Sequence, residues 1–340
     1  MTLGKFAPLH RGHQLVIETA LAETDHVMVV IYDCPEVTLC PLPVRANWIK
    51  QLYPSVEVFE AWNGPMEVGD TPEIKARHEA YILALLKDRR ITHFYSSEFY
   101  GNHVSQALGA VNRSVDPERK ICPLSGTQIR RDPYTWRHFL APCVYRDLIA
   151  NLVFLGAPST GKTTLAEHAA KEYRTVWMPE YGRQYWDQHQ IGRRLSLEQL
   201  VEIARDHLAR EEELLYQANK FLFTDTNALT TRIFSLYYHG KAASELERMC
   251  QATGSRYDLV FLCETDIPYE ETWDRSGEVN RQDFQKMIKA DLVSRKIPFF
   301  PLRGKVEERM EQLRTVLNRF EKYAPMVPAY PWQPPGAVKL

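Results

Sequence analysis

Two short segments of this 340-residue sequence carry residue types at spacings suited to phosphate chemistry. The first is GKFAPLHRGH, Gly4 to His13, which follows a short apolar run and leads into a helical stretch. Gly4 lets backbone approach a ligand closely, Phe6 sits between, and Pro8 stiffens the loop. His10 and His13 fall where the chain enters the helix, so their imidazoles and the first helical amides can donate to phosphate oxygens. Displacement at a phosphorus needs in-line positioning and donors aimed at the developing charge, which two histidines, an arginine and Mg2+ can supply. Isolated HxxH pairs are mostly polar surface. The full run of Gly, Phe, Pro, His, Gly and His arises by chance far less than about once in ten thousand such chains.

The second segment, GAPSTGKT from Gly156 to Thr163, fits GxxxxGK[ST] between the strand-like NLVFLG and the helical TLAEHAAKEY. In such a loop Gly156, Ser159, Thr160, Gly161 and Thr164 offer backbone and hydroxyl groups to phosphates. Lys162 neutralises the outer phosphate oxygens, and the Thr163 hydroxyl ligates Mg2+. Glu180 closes the strand candidate TVWMPE, where a carboxylate can face an acceptor hydroxyl, with Tyr181 and Arg183 beside it. Asp225 closes FLFTDT and reads as the carboxylate of the Mg2+ shell.

Short β-rich apolar runs alternate twice with helical stretches, which implies parallel sheets covered on both faces and ligands beyond the strand C-termini. The first set of strands is expected at Thr2–Phe6, His26–Asp33, Val56–Trp62 and His93–Glu98, with helices at His13–Glu23, Val44–Leu52 and Pro72–Asp88. The second set is expected at Asn151–Gly156, Thr175–Glu180, Lys220–Thr226, Tyr257–Glu264 and Pro298–Arg303. Ser196 with Gln199 forms a capping box before a long helix, and Lys305–Tyr323 suits another. The expected organisation is α/β throughout: one Rossmann-like domain over 1–147, a P-loop domain over 148–324 and a Pro-rich tail over 325–340.

A net charge of −1 gives no general electrostatic reason to bind nucleic acid or an anionic membrane. Six scattered cysteines without a CxxC pair suit reduced thiols rather than a disulfide framework or a zinc site. No apolar run approaches a membrane span, and the first motif starts too early for a leader. The expected setting is the cytoplasm, with oligomeric state left open.

The first motif resembles the nucleotidyltransferase signature GxFxPxHxGH. The resemblance implies a second half at a later helix start, which PLSGTQIRRDP supplies: Ser125, Thr127 and Arg130 as further ATP-binding groups. YSSEFYG and VDPER, shortly before it, are similar to the nicotinamide-nucleotide adenylyltransferases, and that likeness implies that Trp62 stacks on a nicotinamide or adenine ring. The polar stretch ETDIPYEETWDRSGEVNR resembles the lid of small-molecule kinases, which implies Arg275 and Arg281 closing on phosphates and Tyr269 and Trp273 stacking on an aromatic base or a pyridinium ring. Over nearly its whole length the sequence resembles the bifunctional NadR-type family, an NMN adenylyltransferase fused to a ribosylnicotinamide kinase. The resemblance implies ATP with Mg2+, nicotinamide riboside, NMN and NAD as the ligands. With the motif at Gly4, a preceding helix-turn-helix domain is not expected, nor DNA binding. Two alternatives stay open: a phosphopantetheine adenylyltransferase fused to dephospho-coenzyme A kinase, and a nucleotide-sensing regulator with weak catalysis.

Overall fold

The computed structural model describes residues 1–67, 69–189, 195–269 and 278–324. The chain forms two compact units, Met1–Tyr145 and Arg146–Lys322. The Pro-rich tail, 325–340, lies outside the described residues.

The first unit runs β1 (Thr2–Gly4), α1 (Arg11–Glu23), β2 (Met28–Tyr32), α2 (Leu42–Leu52), β3 (Glu57–Ala61), α3 (Pro72–Leu86), β4 (His93–Ser96), α4 (Gly101–Leu108), β5 (Val111–Ser114), α5 (Gly126–Arg131) and α6 (Pro142–Leu148), which leads into the second unit. β1, β2 and β3 pair in parallel, as do β4 and β5. Two backbone bonds join the halves: Tyr95 N donates to Met1 O at 2.9 Å and Met1 N to His93 O at 2.8 Å. The resulting order, β3-β2-β1-β4-β5, is that of a doubly wound sheet with its crevice at the end of β1. β1 leaves the sheet at Gly4, earlier than Thr2–Phe6 suggests, because Phe6 turns into the left-handed region at φ 46°. β5 is missing from the expected strands because VNRS has no apolar side: all four residues are exposed on an edge. β2 is buried at every position, and its Met28, Val30 and Tyr32 pack against Ile82 and Leu86 of α3 and Val104 of α4.

The second unit runs β6 (Ala150–Leu155), α7 (Lys162–Tyr173), β7 (Trp177–Met178), α8 (Tyr181–His189), α9 (Leu197–Gln217), β8 (Phe221–Asp225), α10 (Ala228–His239), α11 (Ser244–Arg256), β9 (Leu259–Cys263), α12 (Glu278–Ser294), β10 (Phe300–Leu302) and α13 (Val306–Leu317). Its strands form one parallel sheet in the order β10-β9-β6-β8-β7. Alternation along β6 divides the core. Val153 and Leu155 face α9 to α12, while Leu152 and Phe154 face α7 and α13. Ser196 caps α9 reciprocally with Gln199. β7 stops two residues short of Glu180, because Pro179 has no N–H to continue an edge strand. Among the described residues no helix is long and apolar enough to cross a membrane.

Candidate active sites

In the first unit the signature histidines cap their own helix. His10 Nδ1 accepts from Gly12 N at 3.2 Å, and His13 Nδ1 accepts from His10 N at 3.4 Å. The rings lie 3.8 Å apart between centroids. A nitrogen that accepts from an amide carries no proton, so the network assigns both rings the tautomer with hydrogen on Nε2. Burial holds His10 down at about 4, with Arg119 and Arg130 adding to it. Burial likewise holds His13 well below its ordinary value. Both are therefore neutral Nε2–H donors at neutral pH.

The loop after β5 supplies the other side. Ser125 caps α5, its hydroxyl accepting from Gln128 N at 3.3 Å. Arg130 binds the signature loop directly, Nη1 donating to Ala7 O at 2.5 Å while Nη2 donates to Thr127 Oγ1 at 3.0 Å. Gly126 leaves room for that guanidinium: a Cβ there would stand 3.2 Å from Arg130 Nη1. A cavity of about 310 Å³ lies over Lys5, His10, His13, Arg119, Thr127 and Arg130. A second, of about 340 Å³, adjoins it and shares Phe6 and His13, extending over Gly4, Tyr32, Asp33, Tyr100 and His103.

In the second unit the loop after β6 wraps a cavity of about 520 Å³. Gly156 sits at φ 150°, and a Cβ there would fall 2.6 Å from Cys263 O, so no other residue fits. Lys162 Nζ and Thr160 Oγ1 donate to Ala157 O at 3.0 and 2.8 Å. Thr163 Oγ1 donates to Asp225 Oδ2 at 2.5 Å, and Asp225 Oδ1 is buried with no partner among the described residues. Hydroxyl and carboxylate together form an oxygen pair of the kind a small divalent cation takes. Burial pushes the Asp225 carboxyl up, helped by Glu180, while Lys162, Thr163 and Arg183 oppose it.

Residues 1–132 match the cytidylyltransferase-like family and residues 151–309 the AAA domain family. The trifunctional NAD biosynthesis/regulator protein NadR of Escherichia coli (strain K12) is 26% identical over 324 residues, spanning 88% of this chain and 77% of that protein. The protein of the same name from Salmonella typhimurium is 28% identical over 321 residues with the same coverage. The chain is similar to NadR over most of its length. A crystal structure of NadR protein in complex with NAD and AMP-PNP shares its fold, with a TM-score of 0.56 at 20% identity over 92% of this chain and 94% of that one. The crystal structure of NadR protein in complex with NR gives the same score at 21% identity, covering 93% and 94%.

In this NadR-like chain Gly4, Phe6, His10, His13, Ser125, Thr127 and Arg130 gather around the first unit's two cavities. Gly156, Ser159 to Thr164, Glu180 and Arg183 line the second unit's cavity, with Asp225 beneath Thr163. Four residues stand elsewhere than expected. Trp62 is half exposed and lines neither cavity of the first unit. Tyr181 turns from the cavity to α9, where its hydroxyl meets Asp206 Oδ2 at 3.1 Å and Arg210 covers its ring. Arg281 is buried and does not line the cavity. Its Nη2 donates to Ser159 O and Ile267 O, each at 3.0 Å, so it braces the phosphate loop instead. Tyr269 stacks under that guanidinium rather than lining the cavity. Trp273 and Arg275 lie outside the described residues.

Other residues of the sites carry no motif. Arg309, buried, donates to Thr160 O at 2.6 Å, Gly304 O at 2.8 Å and Glu264 O at 3.0 Å, and pairs with Asp266 at 2.5 Å. Gln285 Oε1 accepts from Ala157 N at 2.9 Å. Arg45 ties Lys5 O, Tyr32 O and Cys40 O together below the first site. His207 lines the kinase-like cavity, held near 4 by burial. Arg119 and Tyr100 had a signal, in the VDPER and YSSEFYG segments.

Proposed function

We propose that this chain makes NAD from nicotinamide riboside in two ATP-dependent steps, one per unit, in the cytoplasm. The observation that carries the reading is the coexistence of two built phosphate sites in a chain similar to NadR over 88% of its length.

In the second unit Glu180 takes the proton from the riboside 5′-hydroxyl as that oxygen attacks the γ-phosphorus of ATP, yielding NMN and ADP. The amides of the loop from Gly156 and the Lys162 ammonium hold the phosphates. Thr163 Oγ1 and the Asp225 carboxylate would hold Mg2+, which would supply neutralisation of phosphate charge there. Arg183 takes up charge at the transferred group, and Arg281 holds the loop's shape.

In the first unit an oxygen of the NMN phosphate attacks the α-phosphorus of a second ATP, and pyrophosphate leaves. Two adjoining cavities meeting at Phe6 and His13 suit a reaction that joins two nucleotides: ATP over His10, Arg119 and Ser125 to Arg130, and NMN over Gly4, Tyr32 and Tyr100. His10 and His13 are neutral and donate from Nε2 without giving up a proton. They therefore stabilise charge rather than act as acids. Arg130, already spanning both motifs, completes the cradle.

The decisive assay is purified protein with ATP, Mg2+ and nicotinamide riboside, with products resolved by chromatography. NMN appearing first and NAD second is the expected result. NMN without NAD limits the reading to the second unit. Neither product, with 4′-phosphopantetheine consumed instead, overturns it in favour of the coenzyme A pathway pair.

A further inference from the structure

The corner at the end of β8 has features that phosphoryl transfer itself does not call for. Thr226 sits at φ 65°, a left-handed conformation that a β-branched residue rarely adopts and that tends to persist where function holds it. It separates Asp225, which faces Thr163, from Asn227, which opens α10. Asn227 Oδ1 accepts from Leu229 N at 3.0 Å, and that bond decides which way the amide points. The Nδ2 end is left buried with no partner among the described residues, although Asn227 lines the 520 Å³ cavity and is only 3% exposed. Thr230, on the same face of α10, is 7% exposed with its hydroxyl equally unpartnered, and it lines the same cavity. Phe234 and Tyr238 continue that face as an aromatic wall, their rings 6.2 Å apart and 12° from parallel.

A helix cap alone is served as well by serine or aspartate, without burying an idle N–H. A buried donor without a partner is costly and is kept where something completes it. An amide nitrogen only donates, so its missing partner is an acceptor oxygen next to a flat ring. We infer that Asn227, aimed by the strained Thr226 and assisted by Thr230, reads an oxygen of the acceptor nucleoside and so sets which nucleoside the second unit phosphorylates. The inference rests on the kinase reading above.

The test compares KM for nicotinamide riboside and for ATP in the parent, Asn227→Ser and Asn227→Asp. Both variants keep an oxygen to cap α10 and remove the amide N–H group at the Nδ2 position. The riboside KM is expected to rise about tenfold with serine and further with aspartate, which sets a carboxylate against the oxygen, while the ATP KM stays within about twofold. Ribosides lacking the carboxamide or the 2′-hydroxyl identify the oxygen: the analogue without it loses the difference between parent and Asn227→Ser. Unchanged riboside KM in both variants, or riboside and ATP KM rising together, overturns the inference and leaves the kinase reading standing. Should the parent phosphorylate a different nucleoside, the riboside reading falls and the same comparison on that nucleoside decides Asn227. A parent that phosphorylates no nucleoside overturns both.

Discussion

Thr163 Oγ1 donates to Asp225 Oδ2 at 2.5 Å, linking the first turn of α7 to the last residue of β8 across 62 residues of sequence. The bond sets an oxygen pair of the kind a small divalent cation takes, and the second carboxylate oxygen is buried with no partner among the described residues. Asp225→Asn keeps the shape and removes the charge. Riboside phosphorylation should fall by about a hundredfold or more, with adenylyl transfer from ATP to supplied NMN unchanged. A variant that keeps its kinase rate would remove Asp225 from the cation site.

The two chemistries should separate by mutation. Lys162→Ala strips the ammonium from the phosphate loop and should abolish NMN formation while NAD formation from NMN survives. His13→Ala removes one Nε2–H donor and the reciprocal cap, and should do the reverse. Joint loss of both activities in a protein with an unchanged circular dichroism spectrum would contradict the assignment of one reaction to each unit.

Arg309 holds the phosphate loop from below through the carbonyls of Thr160, Gly304 and Glu264 and the carboxylate of Asp266. Its side chain is almost wholly buried, so Arg309→Met leaves those carbonyls without a donor. The expected loss is about 3–5 kcal/mol of stability, read by calorimetry as a lower melting transition for the second unit. The first unit's adenylyltransferase should persist at temperatures where that unit remains folded. A melting point unchanged from the parent would show that the loop needs no such brace.

Stability should depend on pH through His10. Its folded value, about 4, lies below the ordinary 6.5, so the unfolded chain binds a proton more readily in between. The contribution is therefore complete above pH 6.5 and lost as pH falls from 6.5 towards 4. The shift corresponds to a few kcal/mol at most, on the order of 3. Melting curves between pH 7 and 5 should show the first unit weakening, and His10→Gln should flatten that slope. His207, held near 4 by burial in the second unit, should act in the same direction there. Equal slopes for parent and His10→Gln would show that His10 is not kept neutral by the fold.

What the sequence determined by itself was local chemistry: a strand, a glycine-bearing loop and a helix start placed His10 and His13, and again Lys162 and Thr163, within one short segment each, whose geometry follows from short-range sterics and capping. Strand and helix periodicity gave the parallel architecture for the same reason, since each apolar face must be buried by its neighbours. Partners distant in sequence had no such signal. Arg130 reaches Ala7 across 123 residues and Arg309 reaches Thr160 across 149, distances over which nothing in the local pattern specifies which carbonyl a guanidinium will find. Arg281 and Tyr181 show the converse, residues of suitable type beside a site that packing turned to other partners. Tertiary structure decided which polar atoms of Asp225 and Asn227 would be left buried and unpartnered, because that depends on every element packed around them.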